Sequence, residues 1–251
     1  MSTTNAPTLF ILNKNYSSWS LRPWIVLRHL GIPFNTEIYR AEDFSTKPST
    51  DPARPGLVKN DPQLEAFLSR AGPSRKVPAL HVPRDDGLGV FVVHESLSII
   101  EYLAEDHPHL WPTNKRHRAL ARSLALEMHA GLSALRNYYP MNIRQQHEFD
   151  EARFHSVPGI EADVSRVNQI WIQCRAAVLA DPELAAHDEG FLFGRFTIVD
   201  AMFAPVVSRF TTYRLPVESK AKEYMETVLS FKPMKEWTAE AKKEVQIIKE
   251  D

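Results

Sequence analysis

The chain of 251 residues contains a single cysteine, Cys174. One cysteine excludes an internal disulfide and any metal site built from several cysteines. Cys174 lies in an apolar stretch with helical spacing, which favours a buried structural thiol. The ten histidines include no pair with the spacing of a zinc-binding helix. We therefore predict a protein without a bound metal or a disulfide.

An excess of charge of one sign is also absent, because 30 basic residues face 31 acidic ones and the formal net charge is -1. Without a broad basic surface, neither a nucleic acid nor an anionic membrane is expected as a partner. No apolar run reaches the ~18 residues that cross a bilayer. The first residues, MSTTNAPT, lack the pattern of a secretory signal. These features predict a soluble cytoplasmic protein with no membrane association.

The first hundred residues alternate between strand-like and helix-like patterns. Residues 9–12 and 34–39 predict two strands on either side of a helix. Residues 78–82 and 90–93 predict two more strands, and the Asp-Gly pair between them indicates an antiparallel hairpin. With a short helix near 63–70 and a longer one after Ser96, the order is β-α-β-α-β-β-α. This order is typical of an α/β domain of thioredoxin type.

The character of the sequence changes after residue 113, where long segments are poor in strand patterns and periodic as helices are. We predict a thioredoxin-like N-terminal domain at residues 1–107, a linker at 108–113 and an all-α C-terminal helical domain at 114–251. Residues 41–62 are rich in Pro, Ser, Thr, Asp and Lys, which predicts a long loop inside the first domain.

A cluster of serines, Ser17, Ser18 and Ser20, stands between the first strand and the first helix. A thiol has a pKa near ~8.5, and a hydroxyl donor beside a helix N-terminus promotes its ionisation. Ser17 is best placed to donate to a sulfur, with Ser18, Ser20 and Tyr16 as alternatives. Simple capping of the helix by a serine is the competing interpretation.

Two further positions have features of a peptide-binding edge. A cis bond between Val77 and Pro78 would turn the backbone of Val77 towards a peptide ligand, whereas a trans bond would only begin a strand. Glu95 and Ser96 stand between a strand and a helix, where the carboxylate suits an α-ammonium group and the helix start suits a carboxylate. A γ-glutamyl group carries both charges on one carbon. An ordinary helix cap is the alternative at this position too.

These segments together resemble the cytosolic glutathione transferase superfamily. The similarity is carried by residues 76–80 (KVPAL), 94–96 (HES) and 98–103 (SIIEYL). Residues 17–22 (SSWSLR) are similar to the Ser-Ser-Cys-Ser-x-Arg motif of the zeta class in the serine-type branch. Trp19 stands where that class has cysteine, which argues against maleylacetoacetate isomerisation.

The resemblance extends into the second domain, where residues 193–201 are similar to the capping segment of the superfamily, with Thr197 and Asp200 as an N-cap pair. It implies a glutathione transferase-like fold, a cis bond at Pro78 and a homodimer. It also implies that Ser17 activates the thiol of glutathione, the co-substrate. The implied glutathione-binding residues are Lys59, Lys76, Val77, Pro78, Glu95 and Ser96.

The expected activity is a detoxification transferase that adds the glutathione thiolate to a small hydrophobic electrophile. The alternatives are a glutathione-dependent isomerase and a glutathione-binding or regulatory module without significant turnover. A disulfide-exchanging thiol transferase would need a cysteine in the first loop, which the chain lacks. The candidates for the electrophile pocket, with plain core as the alternative, are Tyr138, Tyr139, Met141, Asn142 and Arg144.

Overall fold

A computed structural model describes residues 6–40 and 61–247 of the chain. Its first half contains four strands and three helices in the predicted order β-α-β-α-β-β-α. The strands are β1 (Thr8–Leu12), β2 (Asn35–Tyr39), β3 (Ala79–Pro83) and β4 (Val90–His94). The helices are α1 (Ser18–His29), α2 (Pro62–Ala71) and α3 (Ser96–Asp106). Residues 41–60 of the predicted loop lie outside the described residues.

The four strands form one sheet in the order β2-β1-β3-β4. β1 and β2 are parallel, as expected for strands joined by a crossover helix, and β3 is antiparallel to both β1 and β4. Alternate residues of the central strands, such as Leu9, Ile11 and Leu80, are fully buried. This topology confirms the predicted thioredoxin-like domain and its hairpin.

The register of the sheet brings three separate chain positions to one edge. Phe10 of β1 lies opposite Ala79 at the start of β3, and Ala79 in turn lies opposite His94 at the end of β4. The loop after β1, the residues before β3 and the residues after β4 therefore emerge side by side. They lead to the serine cluster, to Pro78 and to Glu95 respectively.

The second half of the described chain is helical, with two isolated β-bridges near Phe193, which confirms the predicted all-helical domain. A 3-10 helix, Pro108–Leu110, lies in the predicted linker. The α-helices are α4 (Lys115–Ala130), α5 (Ser133–Tyr138), α6 (Glu151–Ser156), α7 (Ile160–Ala180), α8 (Pro182–Ala185), α9 (Ile198–Tyr213), α10 (Ser219–Ser230) and α11 (Lys232–Ala241). None of these helices combines the length and apolar character that a bilayer crossing requires.

Helix α1 packs against both halves of the described chain. It contacts α3 within the first half and α9 and α11 within the second. Trp24 of α1 meets the indole of Trp237 in α11 edge to face, with ring centroids 5.2 Å apart. Aromatic pairs of this kind bury large areas and fix relative orientation. The start of α1 is therefore positioned by the helical half as well as by the sheet.

The start of α9 has the capping pair that the sequence predicted. The buried carboxylate of Asp200 accepts a hydrogen bond from the backbone N–H of Thr197 (2.8 Å) and another from its hydroxyl (2.9 Å). It also accepts from the backbone N–H of Leu192 (3.0 Å). These bonds satisfy donors that a helix start leaves unpaired, and they fix the entry into the central helix of the second half.

Candidate functional site

The serine cluster lies at the N-terminus of α1, and the structure distinguishes its members. The hydroxyl oxygen of Ser17, the N-cap residue, lies 2.7 Å from that of Ser20 and makes no capping bond to the helix backbone. Ser18 and Ser20 are buried, and the Ser18 hydroxyl accepts a hydrogen bond from Arg209 (3.3 Å). Ser17 alone of the three is only partly buried. It is therefore the serine that a ligand can reach.

Tyr16, the other alternative from the sequence, has its hydroxyl directed towards different partners. This hydroxyl accepts a hydrogen bond from Arg144 (3.2 Å) and lies 3.5 Å from the carbonyl oxygen of Gln246. Its phenol ring also lies beneath the Arg144 guanidinium, 5.9 Å from the ring centroid. The hydroxyl thus belongs to a network with the C-terminal residues of the described chain.

The peptide bond between Val77 and Pro78 is cis, which confirms the isomer that the family resemblance implied. Pro78 is buried and Val77 is half-buried at the start of β3, whereas Lys76 is exposed. Arg75 has a φ of 51°, in the left-handed region that favours glycine. Lys59 lies outside the described residues.

Glu95 occupies the turn between β4 and α3 with a φ of 78°, an uncommon conformation for a residue with a side chain. Its carboxylate accepts hydrogen bonds from the backbone N–H of Leu97 (3.0 Å) and from the hydroxyl of Ser96 (2.8 Å). The Glu95 side chain is 40% exposed, whereas Ser96 is fully buried. Glu95 therefore caps α3 and still presents its carboxylate to solvent, while the Ser96 hydroxyl is already engaged.

Arg22 connects α1 with two other helices near these residues. It is 1% exposed, and its guanidinium lies 4.1 Å from the ring centroid of Trp19. One terminal nitrogen lies 3.5 Å from the Ser96 hydroxyl oxygen, and the other lies 3.2 Å from the sulfur of Met128. Within the described chain its Nε has no hydrogen-bond partner. The guanidinium is thus packed and contacted, but no carboxylate of the described residues is bonded to it.

The site carries an excess of positive charge, because Arg136 and Arg209 also lie near Arg22. In the described part of the chain none of the three forms a salt bridge, and Arg209 donates instead to the carbonyl oxygens of Tyr139 (2.9 Å) and Pro205 (3.2 Å). Burial, with help from neighbouring arginines, lowers the pKa of Arg22 to about 9 and that of Arg209 to about 10. Both groups remain charged at neutral pH. The local field therefore favours an anion.

Comparison with protein families finds a match in the first half of the chain. Residues 16–106 match the model of the glutathione S-transferase N-terminal domain. This region is similar to the N-terminal domain of glutathione S-transferases. The matched region includes the serine cluster, the cis proline and the Glu95 turn. It therefore contains every described candidate residue except those of the helical half.

Similarity to individual proteins is more distant. A probable maleylacetoacetate isomerase of Caenorhabditis elegans is 28% identical over 144 residues, which are 57% of this chain and 55% of that protein. The match thus spans about half the length of this curated relative.

Solved structures share the fold at low identity. A glutathione transferase homologue from Burkholderia GL BGR1 with bound glutathione is 19% identical, with a TM-score of 0.56 and coverage of 94% of this chain and 97% of that chain. Glutathione transferase Omega 3C from Trametes versicolor is 16% identical, with a TM-score of 0.58 and coverage of 91% and 86%. Ure2p in complex with S-p-nitrobenzylglutathione is 16% identical, with a TM-score of 0.63 and coverage of 95% and 96%. These likenesses show a glutathione transferase-like fold for the whole described chain.

Two arginines near the candidate site were not found from the sequence. Arg136 and Arg209 lie more than a hundred residues after the serine cluster, and only folding brings them near it. The sequence did contain one signal for Arg209, which stands within the apolar run of α9. Arginine is rarely fully buried unless it is paired, so an arginine at such a position indicates a specific role. Of the residues proposed for the electrophile pocket, Tyr139 and Met141 are core residues and Tyr138 is exposed.

Cys174 lies in the helical half of the transferase-like fold, away from the serine cluster. It is buried on α7 and contributes to the wall of an apolar cavity of about 290 Å³ between α4 and α7. Burial raises the pKa of its thiol to about 12. The described residues contain no group of His, Cys, Asp or Glu side chains arranged to hold a metal ion. Cys174 is therefore a structural thiol, as the sequence indicated.

The raised pKa of Cys174 predicts an unreactive thiol in the folded protein. At pH 8 only on the order of one thiol in ten thousand would be ionised, against about a quarter for a free thiol of pKa ~8.5. We expect labelling by dithiobis(nitrobenzoate) to be at least about a hundredfold slower in the native protein than in guanidinium chloride, and to accelerate with pH. Free glutathione is the control thiol. Equal native and denatured rates would contradict the burial of Cys174.

Proposed function

We propose that this protein binds glutathione, ionises its thiol beside Ser17 and adds the thiolate to a small hydrophobic electrophile. The observation that carries this proposal is the state of Ser17. It is a half-buried hydroxyl at the N-terminus of α1 that makes no capping bond, at the sheet edge shared with Pro78 and Glu95. A hydroxyl used only for capping would accept a bond from the helix backbone instead.

The contact between Ser17 and Ser20 suits Ser17 to the role of donor. Their hydroxyl oxygens are 2.7 Å apart, and either one can donate the hydrogen. If the buried Ser20 donates, the hydrogen of Ser17 is left for a sulfur acceptor. Hydrogen bonds to an ionised group stabilise it by about 1.5–3 kcal/mol, which corresponds to a fall of about one to two units in the thiol pKa.

The surrounding charge supports the same ionisation. The α1 helix contributes a partial positive charge at its N-terminus, where Ser17 stands. Arg22 and Arg209 contribute whole charges in a poorly solvated region, where Coulombic attraction is weakly screened. Glu95 is the carboxylate that partly offsets the charge of Arg22. A thiolate at Ser17 would therefore be stabilised by fixed charges as well as by the hydroxyl.

The other edge residues supply recognition in this proposal. Glu95 has an exposed carboxylate that can pair with the α-ammonium group of the γ-glutamyl end. The backbone of Val77 can pair with the cysteinyl unit, and the exposed Lys76 is available to the glycyl carboxylate. Lys59 is proposed for the same carboxylate from its sequence position alone. Ser96 contributes its backbone N–H at the start of α3, because its hydroxyl is bonded to Glu95.

The proposed reaction needs no metal or redox cofactor for its atoms to balance. The thiol proton passes to solvent, and the sulfur lone pair forms a carbon–sulfur bond with the electrophile. The electron pair released at the electrophilic carbon leaves with a departing group or is protonated on the adduct. The protein contributes by raising the thiolate fraction at neutral pH and by holding the sulfur in place.

A glutathione-dependent isomerase is the second candidate, favoured by the match to the probable maleylacetoacetate isomerase. An isomerase forms the same thiolate, adds it reversibly and releases it after bond rotation. Trp19, in place of the cysteine of the zeta motif, favours conjugation. Assays with 1-chloro-2,4-dinitrobenzene and with maleylacetone separate the two activities. Binding of glutathione with neither activity and without a lowered thiol pKa would instead support a non-catalytic module.

Replacement of Ser17 by alanine tests the proposed thiol activation. In Ser17→Ala we expect the pKa of bound glutathione to rise by about one to two units and turnover at pH 7 to fall about tenfold to a hundredfold. Because the lost group stabilises the thiolate, activity should recover as the pH approaches the new pKa. Glutathione affinity should stay within about threefold. Thiolate absorbance against pH, with calorimetric titration, measures both quantities.

The matched controls for this experiment are Ser18→Ala and Ser20→Ala. Ser18 contacts Arg209, so its replacement should leave the thiol pKa nearly unchanged. Ser20 acts through Ser17, so its replacement should give a smaller shift than Ser17→Ala. A full shift of the thiol pKa in Ser18→Ala with none in Ser17→Ala would show that Ser18, and not Ser17, is the donor.

Replacement of Glu95 by alanine tests the recognition of the γ-glutamyl end. We expect glutathione binding to weaken about tenfold or more, because the ammonium group loses its partner, while turnover at saturation changes much less. The control is Glu101→Gln, which changes a carboxylate further along α3 that accepts a bond from Trp111. An unchanged dissociation constant in a folded Glu95→Ala variant would remove Glu95 from the site.

The exposed apolar side chains of β4 and α3 support the proposed homodimer. Phe91 is 54% exposed and its ring lies 6.1 Å from that of Tyr102, which is also exposed. Contiguous exposed apolar side chains are typical of surfaces that bind another protein. We expect a dimer in sedimentation velocity at about 10 µM and a shift towards monomer in Phe91→Asp, but not in the control Leu179→Asp on α7. A monomeric wild-type protein would contradict this proposal.

A further inference from the structure

The loop that leads into Ser17 consists largely of buried polar residues, which need hydrogen-bond partners elsewhere in the fold. Asn13, Lys14 and Asn15 are each less than 5% exposed, although they form no strand or helix. Buried backbone and side-chain polar groups cost free energy unless they are hydrogen-bonded. The partners of residues 13–16, hereafter the serine loop, are supplied from far away in the sequence.

The principal partner is Glu244, three residues beyond the end of α11. Its two carboxylate oxygens accept hydrogen bonds from the backbone N–H groups of Lys14 (2.7 Å) and Asn15 (2.9 Å). Glu244 is only 9% exposed, so these two charge-assisted bonds are shielded from water. One side chain thereby fixes two consecutive peptide units of the serine loop.

Neighbouring residues of the same C-terminal stretch contact the loop as well. The indole N–H of Trp237 donates to the carbonyl oxygen of Lys14 (3.0 Å), and the Lys14 ammonium group lies 2.5 Å from Glu240. Arg144 bonds to the carbonyl oxygens of Glu244 and Gln246, and its backbone N–H donates to the side chain of Asn15 (2.8 Å). We name residues 237–246 the C-terminal clasp.

The clasp is connected through the serine loop to Ser17, the residue that the proposed chemistry uses. The backbone N–H of Ser17 donates to the carbonyl oxygen of Asn13 (3.1 Å), so the start of the loop fixes the residue that follows it. A hydroxyl that activates a thiol must be held in place to within a fraction of an ångström. Displacement of residues 14 and 15 would move Ser17 relative to the bound sulfur.

We propose that Glu244 is a positioning residue for thiol activation, and that the C-terminal clasp is a functional part of the glutathione site. This inference rests on the proposed function, because it assigns Glu244 its effect through Ser17. In this proposal Glu244 contacts neither glutathione nor the electrophile. Its effect should appear in the chemistry and only weakly in the affinity for glutathione.

The experiment compares wild-type protein with Glu244→Gln. The amide keeps one acceptor oxygen but presents an NH₂ group to the second backbone N–H, so the loop loses a bond and gains a donor–donor contact. We expect the pKa of bound glutathione to rise by about one unit and kcat at pH 7 to fall about tenfold, with KM for glutathione within about twofold. Hydrogen exchange at residues 14–15 should be faster.

Two further variants make the test specific. Glu236→Gln makes the same change on α11, where Glu236 pairs with Arg28 (2.6 Å). Among the described residues Glu236 has no hydrogen bond to the serine loop, so this variant should leave all readouts unchanged. Glu244→Asp keeps the charge on a shorter side chain. In this variant the pKa of bound glutathione should lie between the values for Glu244→Gln and the wild-type protein. The variant also carries the test if Glu244→Gln does not fold.

The outcomes separate the inference from the proposed function. Wild-type protein that does not lower the pKa of bound glutathione would overturn the proposed function. Wild-type ionisation with the same thiol pKa and kcat in folded Glu244→Gln would overturn the positioning role alone. If Glu244→Gln does not fold, the same result in Glu244→Asp would overturn it. Equal losses in Glu236→Gln and Glu244→Gln would also overturn it, because a general loss of stability would then explain both.

Discussion

The buried guanidinium of Arg22 is the constraint around which the candidate site is built. Removing a charge from water is costly, and no carboxylate in the described chain forms a salt bridge with Arg22. The ring of Trp19, the sulfur of Met128 and the Ser96 hydroxyl oxygen provide partial compensation from α1, α4 and α3. The remaining cost must be met by the rest of the fold. An anionic ligand beside Ser17 would be the natural counterpart of this charge.

The same site depends on contacts between distant parts of the sequence. The sheet edge supplies Glu95 and the cis peptide, but the orientation of the serine loop comes from residues near 144 and 244. The contact between Trp24 and Trp237 also holds α1 against α11. Residues 16–106, which match the glutathione S-transferase N-terminal domain, therefore contain the proposed reacting groups, whereas contacts from the helical half fix the position of the serine among them.

Local patterns explain which parts could be predicted from the sequence. Alternating apolar residues, an Asp-Gly turn and an X-Pro pair are each readable within ten residues. They predicted the order of strands and helices along the chain and the edge that Pro78 and Glu95 share. The choice among Ser17, Ser18 and Ser20 depends on side-chain direction, which changes by about 100° from one helical residue to the next. The apolar run of α9 marks Arg209 as unusual, but no local pattern relates either Arg209 or Glu244 to residues 13–22, so their place in the site could not be predicted.

Trp19 illustrates how one replacement changes what such a site can do. Two guanidinium groups, those of Arg22 and Arg136, lie 4.1 and 5.7 Å from the centroid of its ring, and His129 meets the ring at its edge. An indole face attracts cations, which a cysteine side chain could not do to the same extent. The indole therefore helps to retain unpaired positive charge near the helix start. With Trp19 in place of a cysteine, this loop also lacks the protein thiol that disulfide exchange would need. The serine hydroxyl and the fixed charges are therefore the groups that can activate a bound thiol.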